Sequence, residues 1–144
     1  MKVIITGANG MLARAAAVHC AASGDDVFAF ARESLDVTDR NAVNAAISDI
    51  RPDAVINRAA FTDVDASETD SRACFAANAD GVANLANACK SVEAAFVTIS
   101  TDYVFDGSGD GFYTQKHAPN PLGAYARAKR EGEILAFAAY PRSI

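Results

Sequence analysis

The fold class this sequence predicts is an α/β domain on a doubly wound parallel sheet, and three observations predict it. Short apolar runs recur without apolar/polar alternation: Lys2-Val3-Ile4-Ile5-Thr6, Val27-Phe28-Ala29-Phe30, Ala54-Val55-Ile56-Asn57 and Ala94 to Ser100. Unbroken apolar runs of that length belong to strands buried on both faces. Longer segments with helical spacing of apolar residues separate them, the alternation that lays down a parallel sheet. The first run passes directly into Gly7-Ala8-Asn9-Gly10 and an alanine-rich helix, so strand, glycine turn and helix follow one another in the order a phosphate-binding turn requires.

Composition narrows the class. The chain has 144 residues, enough for one domain with a real core. Hydrophobic residues make up 51%, much of it alanine, and aromatics only 8%, which favours alanine-faced helices packed closely on a sheet. The net charge of −5 is spread without an acidic tail or basic block, which argues against nucleic acid or an anionic membrane as partner. Val3-Ile4-Ile5 is far too short for a signal-peptide core, and no apolar stretch approaches membrane length. Cys20, Cys74 and Cys89 are scattered, odd in number and without paired spacing, the pattern of reduced thiols in a cytoplasmic protein. Repeats and low-complexity segments are absent.

Gly7 allows the tight turn after the first strand, and Gly10 lets backbone amides approach a pyrophosphate at the helix N-terminus. The third position of this fingerprint is Ala13, a substitution the pattern tolerates. The helix runs to about Ser23, and Gly24-Asp25-Asp26 turns the chain into the second strand. That strand is expected to end on an acid that holds an adenosine ribose, but Ala31-Arg32 stands there. Arg32 suits a 2′-phosphate, which favours NADPH, and equally suits an exposed strand-capping arginine. Leu35-Asp36-Val37 reads as a short third strand. Thr38-Asp39 starts a helix with Val43, Ala46, Ile47 and Ile50 on one side, stopped by Arg51-Pro52-Asp53.

After Asn57, the segment Arg58-Ala59-Ala60-Phe61-Thr62 places small residues at the carboxyl end of a parallel strand, where open sheets leave a ligand crevice. A polar segment from Ser67 to Ser71 starts a helix carrying Phe75, Asn78, Val82, Leu85 and Cys89. The next strand ends at Ser100-Thr101-Asp102-Tyr103, where hydroxyls can face a substrate carbonyl. The loop Asp106 to Gly111 echoes the start of a calcium loop, but the position for its bidentate glutamate holds His117 and a strand precedes it. It is read as a flexible turn near the mouth of the site, and no metal site is expected.

Pro119-Asn120-Pro121 sets up the last helix, which carries Tyr125 and Lys129 and continues to Tyr140-Pro141. Residues four apart share a helix face. A phenol titrates near pH 10 and is a poor acid near neutrality, but a fixed cation beside it favours the phenolate. The pair can then deliver a proton to a carbonyl oxygen while hydride arrives from a nicotinamide.

Together these motifs resemble the extended short-chain dehydrogenase/reductases, and most closely the dTDP-4-dehydrorhamnose reductase family. The matching stretches are Thr6 to Leu12, Asp53 to Asn57, Thr62 to Asp65, Ser100 to Gly107 and Tyr125 to Glu133, spread in order over the chain. Ser100 to Gly107 is the most specific. The resemblance implies a Rossmann-type strand order and a catalytic set of Thr101, Tyr125 and Lys129. Thr101 would bond the substrate carbonyl, Tyr125 would protonate it, and Lys129 would tune Tyr125 and hold the nicotinamide ribose. Gly10, Met11 and Leu12 would meet the pyrophosphate, and Asp36 and Val37 the adenine end. Ala59, Ala60, Phe61, Thr62 and Ile99 would line the cofactor cleft, and Asp102 would join Thr101 at the sugar.

The reaction so implied is NADPH- or NADH-dependent reduction of a nucleotide-linked 4-keto-6-deoxy sugar, as in dTDP-rhamnose biosynthesis, with NADPH slightly favoured and a homodimer compatible. Departures from the family are Ala126 after the tyrosine, Arg58 in a usually small, neutral loop, and Ala15 where some relatives carry a magnesium-binding glutamate at a dimer contact. Family chains run to roughly twice this length. Residues 1–144 therefore read as an incomplete NAD(P)-binding Rossmann domain without its C-terminal substrate-binding domain, inactive alone. Two other readings stay open. One is a non-catalytic NADP-binding subunit like the regulatory subunit of methionine adenosyltransferase, against which the intact Thr101, Tyr125 and Lys129 argue. The other is a nucleotide-sugar epimerase or dehydratase. Dehydratases carry an acid where Tyr103 stands.

Overall fold

The computed structural model describes residues 1–109 and 111–144. Four strands, β1 (Lys2–Thr6), β2 (Asp26–Phe30), β3 (Ala54–Asn57) and β4 (Ala95–Thr98), lie in the order β2-β1-β3-β4 with every pairing parallel. Ile4 stands opposite Phe28 on one side and Val55 on the other, and Ile56 stands opposite Val97. The chain winds outward from β1 to β2, then crosses back to build β3 and β4 on the far side. The carboxyl ends of β1 and β3 thus flank the point where the winding reverses, the place where doubly wound sheets bind ligands.

Among the described residues six α-helices connect and cover the strands: α1 (Met11–Ala22), α2 (Arg40–Ile50), α3 (Val64–Thr69), α4 (Ser71–Phe75), α5 (Gly81–Val92) and α6 (Ala124–Ala139). Alternate side chains of β1 enter two cores. Val3 and Ile5 meet Ala13, Ala16 and Ala17 of α1 on one face. Ile4 joins Val43 and Ile47 of α2, Val82 and Leu85 of α5, and Ala136 of α6 on the other. Burial on both faces is what makes the β1 run continuously apolar. Each fully buried aliphatic or aromatic side chain, such as Ile4, Ile47, Leu85 and Phe96, contributes about 1.5–3 kcal/mol. Among the described residues, no helix is long and apolar enough to cross a membrane.

Leu35-Asp36-Val37 is not a strand. Leu35 and Val37 are buried in the α2 side of the core, but the backbone around them turns twice. Leu35 N–H closes on the Ala31 carbonyl at 2.9 Å, and Asp36 Oδ1 accepts from Thr38 N at 2.9 Å and from Thr38 Oγ1 at 2.8 Å. An aspartate that bonds its own downstream backbone makes a turn. Apolar burial there comes from tertiary packing without a ladder.

The helix expected from Ser67 onward is also broken differently. It begins at Val64 and stops at Asp70, whose backbone (φ −121°, ψ 58°) leaves the helix and whose carboxylate caps α4 through Ala73 N at 3.1 Å. Residues Ala76–Asp80 then form a π-helical turn before α5. This turn packs closely on α6: a Cβ on Gly132 would come within 2.1 Å of the Asn78 carbonyl oxygen. After α6, Ile144 N donates to the Phe96 carbonyl and Thr98 N donates to the Ile144 carbonyl, both at 2.8 Å. That is the pattern of a parallel ladder.

Candidate functional site

Thr6, at the end of β1, organises the strand ends around it. Its hydroxyl donates to Asn57 Oδ1 at 2.6 Å and accepts from the amides of Arg58 at 3.1 Å and Ala59 at 3.2 Å. Asn57 Nδ2 in turn donates to Thr98 Oγ1 at 3.1 Å, so β1, β3 and β4 are tied where the crevice opens. Gly7 follows with φ +68°, a conformation that disfavours other residues, and a Cβ there would meet the Arg58 carbonyl oxygen at 2.6 Å. Gly10 N closes the turn on Gly7 O at 2.9 Å.

The helix that follows is left open at its N-terminus. Asp39, Asp63 and Asp70 cap α2, α3 and α4 with their carboxylates, whereas Gly10 gives α1 no side-chain acceptor. The first amides of α1 therefore face the crevice unsatisfied, beside the partial positive charge of the helix end. That arrangement suits a phosphate.

A cleft of about 1030 Å³ opens here. Gly7, Gly10, Met11 and Leu12 form one wall; Arg32, Asp36 and Val37 form the far end; Ala59, Ala60, Phe61 and Thr62 form the opposite wall. Residues that the sequence scatters over three connections thus converge on one site. At the far end Arg32 Nε reaches Asp36 Oδ2 at 3.4 Å, with the arginine side chain 81% exposed. Hydrogen bonds from the Thr38 amide and hydroxyl hold the Asp36 carboxyl below its ordinary range, helped by Arg32. An ion pair this long and exposed contributes little, so Arg32 is available to another anion.

Tyr125 and Lys129 lie on one face of α6. Lys129 is only 8% exposed, and its ammonium donates to the Ile99 carbonyl at 2.5 Å. Burial pulls it below the usual lysine range, Arg58 adds to that, and Glu133 and Cys74 oppose it. Tyr125 meets Tyr103 edge to face at 6.1 Å between ring centres. A second cavity, about 510 Å³, collects Tyr125 with Asp102, Tyr103 and the loop residues Asp106 and Gly107. Thr101, Ile99 and Lys129 line neither of these two cavities. Thr101 instead caps the short 3₁₀ turn Asp102–Val104, its hydroxyl accepting from Tyr103 N and donating to Asp102 Oδ1, each at a long 3.3 Å. Of the sequence-predicted catalytic set, Tyr125 lines the second cavity, and none of the three lines the large cleft.

The turn expected over 106–111 is held by Asp106, although Asp110 lies outside the described residues. Asp106 accepts from Ser108 N, Ser108 Oγ, Tyr113 and Asn120, and these bonds hold its carboxyl far below the ordinary range. Among the described residues there is no cluster of His, Cys, Asp or Glu able to hold a metal ion.

Four residues not assigned to the site from sequence bear on it. Asn78 binds Phe61, Glu68 Oε1 accepts from Ala124 N at 2.6 Å beside Tyr125, and Arg58 and Arg72 both line the large cleft. For Glu68 the available signal is Gly123: an α6 start with no capping side chain of its own needs an acceptor from elsewhere.

Comparison with known proteins places this geometry. The chain is 42% identical over 130 residues to a dTDP-4-dehydrorhamnose reductase of Streptomyces griseus, covering 90% of this chain and 43% of the relative. A dTDP-4-dehydrorhamnose reductase of Mycobacterium tuberculosis is 39% identical over 99% of this chain and 47% of its own. Among solved structures, the Clostridium acetobutylicum dTDP-4-dehydrorhamnose reductase superposes with a TM-score of 0.97 at 40% identity, covering 99% of this chain and 51% of that one. The Bacillus anthracis dTDP-4-dehydrorhamnose reductase, solved in complex with NADP, gives 0.95 at 35% identity, again over 99% and 51%. The chain spans about half the length of the curated relatives it matches. The model of the family described as the RmlD substrate binding domain matches residues 1–144, and the chain belongs to that family.

Proposed function

We propose that this chain is the dinucleotide-binding portion of an NAD(P)H-dependent reductase acting on a nucleotide-linked 4-keto-6-deoxy sugar. The observation that carries the reading is the convergence of the glycine turn, the open α1 N-terminus and the 58–62 loop on one cleft. Its volume and its unsatisfied amides fit a dinucleotide, with the pyrophosphate at Gly10, Met11 and Leu12 and the adenosine toward Arg32, Asp36 and Val37. NADPH is slightly favoured over NADH because Arg32 is the cation at that end. When bound, the cofactor supplies hydride to the substrate carbonyl carbon.

The chain's own residues do the rest. Thr101 donates a hydrogen bond to the carbonyl oxygen; its present bonds at 3.3 Å are long and readily exchanged. Tyr125 gives its phenolic proton to that oxygen, and the Lys129 ammonium stabilises the phenolate left behind. Burial makes Lys129 release a proton more readily than an exposed lysine does, which suits it to reprotonate Tyr125. Asp102 faces the sugar from the second cavity. Residues 1–144 would leave the substrate-reading part to a further domain. The unpaired, scattered cysteines suit a cytoplasmic setting, and the exposed Ile134 and Phe137 on α6 suit a homodimer or that further domain.

The test is a titration of NADPH and NADH into the purified protein, followed by an assay of nicotinamide absorbance with dTDP-4-dehydrorhamnose on the form that carries the whole reductase. Dinucleotide binding and Tyr125-dependent NADPH oxidation support the proposal. Binding without turnover in that form favours the regulatory-subunit reading, and no binding removes both.

A further inference from the structure

Arg58 is fixed at its backbone and unanswered at its side chain. Its amide donates to Thr6 Oγ1 at 3.1 Å, and its carbonyl packs against the bare Cα of Gly7. Arg58 lines the large cleft, and its side-chain Nε is buried without a hydrogen-bond partner. Among the described residues, no carboxylate forms an ion pair with its guanidinium. A buried donor without a partner is costly, and Arg58 as a whole is only half-buried, so its guanidinium can take an anion from outside the chain.

Its location narrows which anion. Arg32, at the far end of the cleft, already has Asp36 beside it and is largely solvated. Arg58 stands instead across from the glycine turn, where the open amides of α1 begin, and close enough to Lys129 for its charge to act there. An anion between these groups has positive partners on both sides: backbone amides from β1–α1 and a guanidinium from the end of β3. Guanidinium and phosphate match in shape and charge, with paired N–H···O bonds.

We propose that Arg58 is a ligand of the dinucleotide pyrophosphate, gripping it from the β3 side while the α1 amides grip it from the β1 side. The assignment rests on the reading of this cleft as a dinucleotide site. It makes Arg58 a positioning residue that serves NADPH and NADH alike, in contrast to Arg32, whose target is present only in NADPH.

The experiment compares dissociation constants of NADPH and NADH for the wild-type protein and for Arg58→Ala, Arg58→Met and Arg58→Lys, with thermal melting of each unliganded variant as a fold control. Loss of one charge-assisted contact is expected to weaken both cofactors by about ten- to a hundredfold in the Ala and Met variants, with the NADPH-to-NADH ratio unchanged. Lys should restore most of the affinity, and binding should depend less steeply on salt once the charge is gone. Unchanged binding in Ala and Met, or recovery by the uncharged but similarly long Met, would overturn the proposal. A change in the ratio would assign Arg58 to the 2′-phosphate and overturn it equally. Wild-type protein that binds neither cofactor defeats the dinucleotide reading itself, and that failure is visible before any variant is made.

Discussion

Asn78 holds Phe61 by both polar groups of its backbone: Nδ2 donates to the Phe61 carbonyl and Oδ1 accepts from the Phe61 amide, each at 2.9 Å. Asn78 is fully buried in the π-helical turn, and its Nδ2 also reaches Cys74 Sγ at 3.4 Å. The wall of the cleft formed by Ala60, Phe61 and Thr62 has no strand partner to fix it, and Asn78 takes that role. Asn78→Leu should remove both bonds and leave two backbone groups unsatisfied, destabilising the fold by about 1–3 kcal/mol for each. Urea unfolding measures it, and dinucleotide affinity should fall in the same variant. A midpoint unchanged from wild type would mean that water replaces the side chain without loss.

Tyr125→Phe keeps the ring and its edge contact with Tyr103 but removes the proton. In the form carrying the whole reductase, kcat should fall by about 10²–10⁴-fold with cofactor affinity nearly intact. Turnover close to wild type in Tyr125→Phe would take proton transfer away from this residue.

Arg32 offers a separate reading of cofactor choice. Its bond to Asp36 is long and its side chain exposed, so a 2′-phosphate can claim it at little cost. NADPH should bind more tightly than NADH, and Arg32→Ala should close most of a gap of about ten- to a hundredfold. Titration of both cofactors decides it; equal affinities in the wild type would leave Arg32 a bystander beside Asp36.

Lys129 makes stability respond to alkaline pH in an unusual direction. Burial, with Arg58, holds its folded-state pKa below the ordinary 10.5. Below the folded value both folded and unfolded chains carry the proton, and the full cost of the buried charge is felt. Between the folded value and 10.5 the unfolded chain binds more protons, so this group's contribution to stability rises with pH. Urea midpoints measured from roughly pH 8 to 10 should therefore climb more for wild type than for Lys129→Met. Parallel profiles for the two proteins would show that the lysine is solvated in solution.

Reading the residues alone carried the β1–α1 unit and the Tyr125–Lys129 helix, because there local chemistry and periodicity agree. The glycine turn demands its glycines whatever packs on it, and a Tyr four residues before a Lys shares its face in any helix. Leu35-Asp36-Val37 misled for the opposite reason: apolar-polar-apolar alternation fits a strand, but Asp36 spends its carboxylate on turning the chain at Thr38. The π turn at Ala76–Asp80 has no local signal, and it packs against Gly132, more than fifty residues later in the chain. Asn78 was invisible as a site residue because its meaning lies in what stands across from it, and Arg58 stood out only as an unusual residue in the crevice loop. Asp36 and Val37, proposed for the adenosine end, were found through family resemblance and not through spacing, whereas Arg32 was read from its place at the end of the second strand.

The contact between Gly7 and the Arg58 carbonyl sets how this cleft can move. Where layers of side chains separate neighbouring backbones, those layers can reshuffle by changing rotamers. Between the glycine turn and the β3 loop there is no such layer, and the Thr6 hydroxyl pins the two together from below. The two walls must therefore travel as one rigid jaw, without a hinge between them. In the proposed dinucleotide site, the side chains free to adjust to a ligand are those that project into solvent, among them Met11, 89% exposed, and Leu12 at the helix mouth.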